Sequence, residues 1–285
     1  MSAGFRYTHS GTKKAEDPII RSNLVIGIKG AGEMASAAAW RLYMANIRRI
    51  VMLETARPLA VRREVAFSEA VYAGSKTVEG VRAVKAAGTE QISRIWAQGR
   101  IVVTVDPEAA TLRDIRPDVL VDAILAKQNL GTRLSDAPLV IGLGPGFTAG
   151  ADVHVVVETQ RGHHLGRILT TGSAEPNTGI PGAVEGVTED RVLRAPVEGE
   201  FLSSWRIGDP VENGAVIGRV AGREVVGRID GVLRGLIRPG TWVTTGLKIG
   251  DIDPRGNVDH CYTISDKARA IAGSALEAVL RTYNR

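Results

Sequence analysis

The sequence has little cysteine, few aromatic residues and no long apolar segment. Its 285 residues include one cysteine, and aromatic side chains make up 5%. A single cysteine permits neither an internal disulfide nor a cysteine-only metal site, so we predict a reducing, cytoplasmic setting. No run of about 18 apolar residues occurs, so no membrane association is expected. The net charge of +5 includes no basic run, which argues against a nucleic-acid partner and still suits a small anionic ligand.

The length predicts roughly two domains, at about 150 residues each. Residues 1–22 are polar and of mixed charge, without the apolar core of a secretory signal, and are predicted to be a disordered tail. A Rossmann-like domain is expected over 23–194, with a glycine-rich ligand loop at 142–182. A small β domain is expected over 195–253. Residues 254–285 are expected to form a C-terminal segment and a helix that packs on the main domain.

The first half alternates short apolar runs with helical patterns, which predicts an α/β fold with a parallel sheet covered on both faces. Strands are expected at 24–29, 49–53, 101–105, 119–121 and 139–141, and helices at about 34–45 and 89–98. Ligands of such sheets bind at the carboxyl ends of the strands. Glu54, Asp122 and Lys127 follow strands in this way and are candidate ligand contacts. Asp106 also follows a strand, and both aspartates are equally explained as turn or helix-capping residues.

The turn after the first strand matches the pattern G-x-G-x-x-A of dinucleotide-binding folds. Gly30 permits the bend, Gly32 lets the backbone approach a phosphate, and Ala35 allows close packing of helix and strand. Glu54 ends the next strand, 22 residues after Gly32, where an acid binds a ribose hydroxyl. Glu33 places a carboxylate beside the helix N-terminus, however, which argues against ordinary dinucleotide binding.

A second glycine-rich stretch runs from Gly142 through a strand expected at 153–159, and polar residues follow it closely. The candidate ligand contacts in this stretch are Gly144, Gly146, His154, Glu158, Arg161 and His163. Such a group can bind an anion, move a proton or serve only structural hydrogen bonding. The histidine spacing does not single out a metal, and no metal site is predicted.

Two segments in the second half match at an offset of 32 residues. Glu198-Gly199 begins the first and Asp230-Gly231 begins the second, and glycines recur in register through both. The pattern resembles the pseudo-twofold barrel-sandwich hybrid of biotinyl and lipoyl domains. The hairpin between the halves reads AGRE and has no lysine, so no covalent biotin or lipoyl group is expected.

Several longer stretches carry a resemblance to a known family: VIGIKGAGEMAS, VDAILAKQN, VIGLGPGFTAGADVHVVVETQRGHHLGR, PNTGIPG and KIGDIDPRG. They resemble the YqeB-type accessory family of the selenium-dependent molybdenum hydroxylase system, from about residue 24 to 280. The resemblance implies a cytoplasmic maturation factor whose partners are a molybdenum hydroxylase or other maturation proteins. Homo-oligomerisation is left open. Related proteins that handle sulfur use cysteine, whereas this chain offers only Cys261, for which a buried packing role is the simpler interpretation.

Three hypotheses follow. The preferred one is a maturation factor that binds a phosphate-bearing anion, the molybdenum cofactor or a nucleotide. In it, Gly30 and Gly32 cradle phosphate, the 142–182 loop forms the opposing wall, and Arg62 and Arg63 add phosphate contacts or form a solvated helix face. The second is an NAD(P)-dependent oxidoreductase with His154 or His163 as acid and base. The third is a docking protein with a vestigial pocket.

Overall fold

The computed structural model describes residues 23–284, and the tail predicted at 1–22 lies outside them. The chain forms a mixed α/β structure with a large, mostly parallel sheet and several antiparallel sheets. The strands of the first half are β1 (Val25–Lys29), β2 (Arg49–Glu54), β3 (Ser75–Val78), β4 (Val81–Ala86), β5 (Ile101–Val105), β6 (Val119–Asp122), β7 (Leu139–Leu143), β8 (Thr148–Ala149), β9 (Val155–Val157), β10 (Ile168–Leu169) and β11 (Gly172–Ser173).

The helices are α1 (Glu33–Met44), α2 (Ala70–Ala73), α3 (Ile92–Ala97), α4 (Thr111–Ile115), α5 (Asp259–Tyr262) and α6 (Asp266–Tyr283). Alanine-rich α1 is buried continuously from Met34 to Ala39 and again at Leu42, and it packs mainly against α6. The helix expected at 89–98 is a 3₁₀ turn, Thr89–Gln91, followed by α3. Within residues 23–284, no helix has both the length and the apolar character needed to cross a bilayer.

The large sheet has nine strands in the order β10-β9-β7-β6-β1-β2-β5-β4-β3. Strands β4, β5, β2, β1, β6, β7 and β9 run parallel, and β3 and β10 add antiparallel edges. β1 is central, and the chain moves outward through β2 and then returns to place β6 on the other side of β1. Lys29, at the end of β1, is in register with Leu53 of β2 and Asp122 of β6. This reversal of strand order opens a crevice at the carboxyl edge beside β1.

The second half contributes β12 (Val192–Arg194), β13 (Gly199–Leu202), β14 (Pro210–Val211), β15 (Val216–Val220), β16 (Arg223–Val226), β17 (Gly231–Leu236), β18 (Thr241–Val243) and β19 (Lys248–Asp253). They form two four-stranded antiparallel sheets, β12-β19-β17-β14 and β16-β15-β13-β18. A separate core of buried apolar side chains, among them Phe201, Leu233 and Ile249, fills the space between them.

The 32-residue repeat is visible in the strand pairing of these sheets. β13 and β15 of the first copy correspond to β17 and β19 of the second, and each copy sends its short middle strand, β14 or β18, into the other sheet. Gly199 and Gly231 share a left-handed φ, +149° and +156°, which explains why glycine recurs there. The two copies therefore interlock around one core.

Two sets of contacts join the parts of the molecule. α6 packs along α1, where Arg41 donates to the carbonyl of Arg269 at 3.4 Å and Arg269 lies over the Trp40 ring. The segment after β2 contacts β17 through a hydrogen bond from the amide of Leu236 to the Val61 carbonyl, at 2.9 Å.

Candidate functional site

A cleft with a volume of about 1040 Å³ lies at the carboxyl edge of the parallel sheet. It is bounded by the ends of β1, β2 and β6, the start of α1, and the segments that follow β2 and β5. Four of the fourteen predicted ligand residues line it: Gly30, Gly32, Glu54 and Asp122. The strand reversal beside β1 therefore produces a cleft of the size that small-molecule sites have.

The glycine turn forms the middle of the cleft. Gly30 has a φ of +90°, and its amide donates to the Leu53 carbonyl at 2.7 Å. Gly32 caps α1 without a side-chain hydrogen bond, and a Cβ placed on it would meet no atom within 4 Å. The first helical hydrogen bond runs from the Ser36 amide to the Gly32 carbonyl, so the amides before Ser36 have no acceptor within the helix. Ala35 is fully buried behind the turn.

Glu33 does not present a free charge to the start of α1. Its Oε1 accepts from the Arg62 guanidinium at 3.3 Å and from the Ser265 hydroxyl at 2.9 Å. Arg62 also donates to the carbonyls of His260 and Thr263. Burial lowers the pKa of Arg62, although Glu33 beside it acts in the opposite direction. The carboxylate that argued against a dinucleotide is therefore neutralised by a buried cation.

One lining residue lacks a hydrogen-bond partner. Ser68 is fully buried, and its Oγ finds no donor or acceptor among residues 23–284. Its own amide donates to the Ala31 carbonyl at 2.8 Å, which fixes it against the glycine turn. A buried hydroxyl without a partner costs free energy.

Glu54 and Asp106 lie on the β2 and β5 side of the cleft. The Glu54 carboxylate accepts from the amides of Ala31 at 2.8 Å and Thr55 at 2.7 Å. The Glu54 carboxylate therefore fixes the position of the glycine turn, and each of its oxygens has a lone pair that accepts no hydrogen bond from these amides. Asp106 accepts from the amides of Ala110 and Thr111, so it caps the turn that leads into α4.

Asp122 lies on the β6 side, only 2% exposed. Its Oδ2 accepts from the Thr132 hydroxyl at 2.6 Å, and its Oδ1 accepts from the Ile124 amide at 3.2 Å. Lys29 Nζ in turn donates to Thr132 Oγ1 at 2.7 Å and lies 3.8 Å from Asp136. A continuous hydrogen-bonded chain thus joins the ends of β1 and β6.

Arg62, Arg63 and Lys127 were predicted contacts that lie outside the cleft lining. Arg62 is buried and forms the hydrogen bonds described above. Arg63 donates to the Leu236 carbonyl at 2.7 Å and lies 3.8 Å from Glu69. Both arginines join the first half of the chain to the second. Lys127 is exposed, and its Nζ donates to the side-chain oxygen of Asn177 at 3.1 Å.

The two glycines of the 142–182 loop that were predicted ligand contacts, Gly144 and Gly146, are surrounded by protein atoms. A Cβ on Gly144 would lie 2.6 Å from Thr159 Oγ1, and one on Gly146 would lie 2.6 Å from Gln128 Cα. Their φ values are +83° and +107°. Close packing of the chain on itself therefore accounts for both glycines.

The polar residues of that loop each have a different environment. His154 Nδ1 accepts from the Val140 amide at 2.9 Å, and the 3% exposed Glu158 accepts from the amides of Gln160 and Glu175. Arg161 forms two hydrogen bonds with Asp266, at 2.8 and 3.0 Å. His163 is exposed and stacks edge-on with His164. No group of three or more metal-ligating side chains that could hold an ion occurs in the described chain, 23–284.

Sequence reasoning missed Lys29, Thr132 and Ser68. Lys29 ends β1 immediately before the glycine turn, and that position was itself a usable signal. Thr132 and Ser68 lie in irregular segments whose path depends on tertiary contacts, so no local pattern indicates them. The same holds for the pairing of Glu33 with Arg62, which are 29 residues apart.

The fold and the cleft define an α/β protein with a ligand-sized crevice where the strand order reverses. No protein-family model matches the chain. Over 256 residues the chain is 47% identical to the uncharacterized protein YqeB of Escherichia coli strain K12. The aligned region covers 90% of this chain and 47% of that protein. This similarity confirms the resemblance to YqeB-type proteins. The chain spans about half the length of that relative.

Comparison with solved structures gives only distant similarities. One is TcdA (CsdL), at 12% identity and a TM-score of 0.31, covering 93% of this chain and 89% of that one. Another is a succinylglutamate desuccinylase/aspartoacylase from Rhodobacter sphaeroides, at 14% identity and a TM-score of 0.26, covering 80% of this chain and 84% of that one. Scores of this size establish neither a shared fold nor a shared activity.

Proposed function

We propose that this chain is a cytoplasmic accessory protein for the maturation of molybdenum hydroxylases. In this proposal it binds a phosphate-bearing ligand, the molybdenum cofactor or a nucleotide, in the carboxyl-edge cleft. The motif resemblance supplies the biological setting, and the YqeB similarity extends over 90% of the chain. One observation carries the ligand assignment: the start of α1 faces the cleft without a cap, and the space at Gly32 is open.

A phosphate fits this position for electrostatic reasons. The amides before Ser36 have no helical acceptor, and the dipole of the 12-residue α1 places partial positive charge at the same end. Phosphate oxygens accept from such amides without any cationic side chain. Because Gly32 has no side chain, the phosphate can approach the backbone closely.

Glu54 favours a nucleotide over an inorganic anion. The amides of Ala31 and Thr55 hold its carboxylate at the end of β2, and the remaining lone pairs are suited to ribose hydroxyls. The pairing of Glu33 with Arg62 offsets the repulsion that a second carboxylate would cause. A nucleotide, or the nucleotide form of the molybdenum cofactor, is therefore the preferred ligand.

The small β unit, residues 195–253, is proposed to be a barrel-sandwich hybrid of the biotinyl and lipoyl kind. Its two interlocked copies and their equivalent glycines support this assignment. The turn between β15 and β16 is formed by Ala221 and Gly222, and no lysine stands there to carry a swinging arm. In this proposal the unit docks with a hydroxylase or another maturation protein.

Calorimetric titration of Gly32→Ala tests the ligand site. The purified chain should bind the molybdenum cofactor or a nucleotide such as ADP, and the new methyl group should weaken that binding by about tenfold or more, because it occupies the phosphate position. Gly273→Ala in α6 is the matched control, since its nearest neighbouring atom is 4.0 Å away and no ligand lies there. Equal affinity in the two variants, or no binding by the unaltered chain, would refute the assignment.

An NAD(P)-dependent oxidoreductase is the second candidate. The cleft favours this function because the cleft extends to both sides of the glycine turn, as a dinucleotide does. NAD titration and NADH absorbance at 340 nm in the presence of candidate substrates separate the two functions. Binding without any hydride transfer supports the accessory role, whereas turnover supports the enzyme.

A further inference from the structure

The cleft extends past the glycine turn to a second region at the ends of β1 and β6. We define the distal subsite as Lys29, Asp122, Ile124, Leu125 and Leu130, all of which line the cleft. Glu54 lies on the opposite side of the turn, at the end of β2. A mononucleotide bound at Gly32 and Glu54 would leave the distal subsite empty, so the cleft has room for a second group beyond the phosphates.

The distal subsite combines apolar surface with a few polar groups. Ile124 is 44% exposed and Leu130 is 56% exposed, although both are apolar. Lys29 and Asp122 lie at the ends of adjacent strands, as partners in the β1 and β6 register. Apolar walls with a small number of fixed donors and acceptors are typical of sites that orient a ring.

Thr132 fixes the two charged groups relative to each other. Its hydroxyl accepts from Lys29 Nζ at 2.7 Å and donates to Asp122 Oδ2 at 2.6 Å, and it is 1% exposed. The Lys29 ammonium has three donors, of which Thr132 uses one, and Asp136 is at 3.8 Å. A donor on Lys29 and a lone pair on Asp122 therefore remain available to a ligand.

We propose that the distal subsite binds the second half of a two-part ligand, a ring that carries a carbonyl beside an N–H and is joined through phosphates to the nucleotide. Lys29 donates to the ring carbonyl, Asp122 accepts from the N–H, and Ile124 and Leu130 contact the ring face. Thr132 is a positioning residue. This inference rests on the proposed function, since the phosphates must bind at the start of α1.

Competitive calorimetry with three probes tests the inference. ADP occupies only the nucleotide half, whereas NAD and FAD add a ring with an amide edge. At least one of the two long probes should bind about tenfold more tightly than ADP. Lys29→Met should remove most of that advantage and leave the affinity for ADP within about twofold. Thr132→Val should act in the same direction, and Lys29→Arg should restore part of the advantage.

Lys85→Met is the matched control, because Lys85 is exposed on β4 and donates to the Val71 carbonyl away from the cleft. It should leave all three affinities unchanged. ADP binding combined with no advantage for either long probe would overturn the distal subsite and leave the proposed function standing. An equal loss of ADP and long-probe affinity in Lys29→Met would also overturn it. Failure of ADP and both long probes to bind would overturn the distal subsite, and failure of the molybdenum cofactor to bind as well would overturn the proposed function itself.

Discussion

The glycine turn after β1 and the glycine loop after β7 have similar sequences and different surroundings. At Gly32 a side chain would meet open space in the cleft, whereas at Gly144 and Gly146 it would overlap protein atoms at 2.6 Å. The first turn therefore leaves room for an outside molecule, and the second is filled by the chain itself. Glycine in a turn indicates close approach, and only the structure shows what approaches.

The glycine loop after β7 supports the wall of the cleft without lining it. Residues 123–125 and 130–131 line the cleft on the β6 side, and other atoms of the same segment pack on the glycine loop. Gln128 lies against Gly146, and Leu125 lies near Gly144. The loop is thus positioned to support the cleft wall from outside the ligand space. Substitutions in the two glycine regions should accordingly separate stability from binding.

Gly146→Ala should have the largest effect on stability. The new Cβ would overlap the Gln128 backbone and force a φ of +107° on alanine, which together cost about 3 kcal/mol. Urea unfolding monitored by circular dichroism measures this loss. Gly150→Ala is the control, because Gly150 shares a positive φ of +85° but has open space around it, so only backbone strain of about 1–2 kcal/mol applies. Equal losses would show that Gly146 is not packed as described.

Glu158→Gln should follow in size. The buried carboxylate accepts from two backbone amides, and the amide side chain turns an NH₂ toward one of those donors, at a cost of about 2 kcal/mol. The urea midpoint should fall, while affinity for a cleft ligand stays nearly unchanged. Glu175→Gln makes the same chemical change on an exposed side chain and should leave the midpoint unaltered. Lost affinity at full stability would instead place Glu158 in a ligand site.

Much of the sheet could be predicted because its signals are local. The apolar strands, the glycine turn and the serine cap of α6 each depend on neighbouring residues, and the structure has β5 at the predicted 101–105. The hairpin of β3 and β4 was missed because its strands carry alternating polar residues near the sheet edge. Periodicity also does not indicate which pairs of distant residues meet.

The candidate site was predictable only in part for the same reason. Gly30 and Gly32 follow β1, Glu54 and Asp122 end β2 and β6, and the strand order brings these strand ends together. Ser68 and Thr132 reach the site through irregular segments, so nothing in the adjacent sequence indicates their roles. Arg161 has the chemistry of an anion ligand, but Asp266, 105 residues later, occupies its guanidinium.

The pair formed by Arg161 and Asp266 should have the smallest effect and should depend on pH. Hydrogen bonds from Arg161 lower the pKa of Asp266 below its usual range, so the pair stabilises the fold above pH about 4 and loses this contribution as the pH falls further. Because Asp266 is 73% exposed, Asp266→Asn should cost no more than about 1 kcal/mol at pH 7. Urea unfolding at pH 7 and pH 3 should show the difference from the unaltered chain shrinking in acid. If Asp266→Asn leaves stability unchanged but strengthens binding of an anionic ligand, Arg161 is a ligand contact, and the 142–182 loop is part of the ligand site.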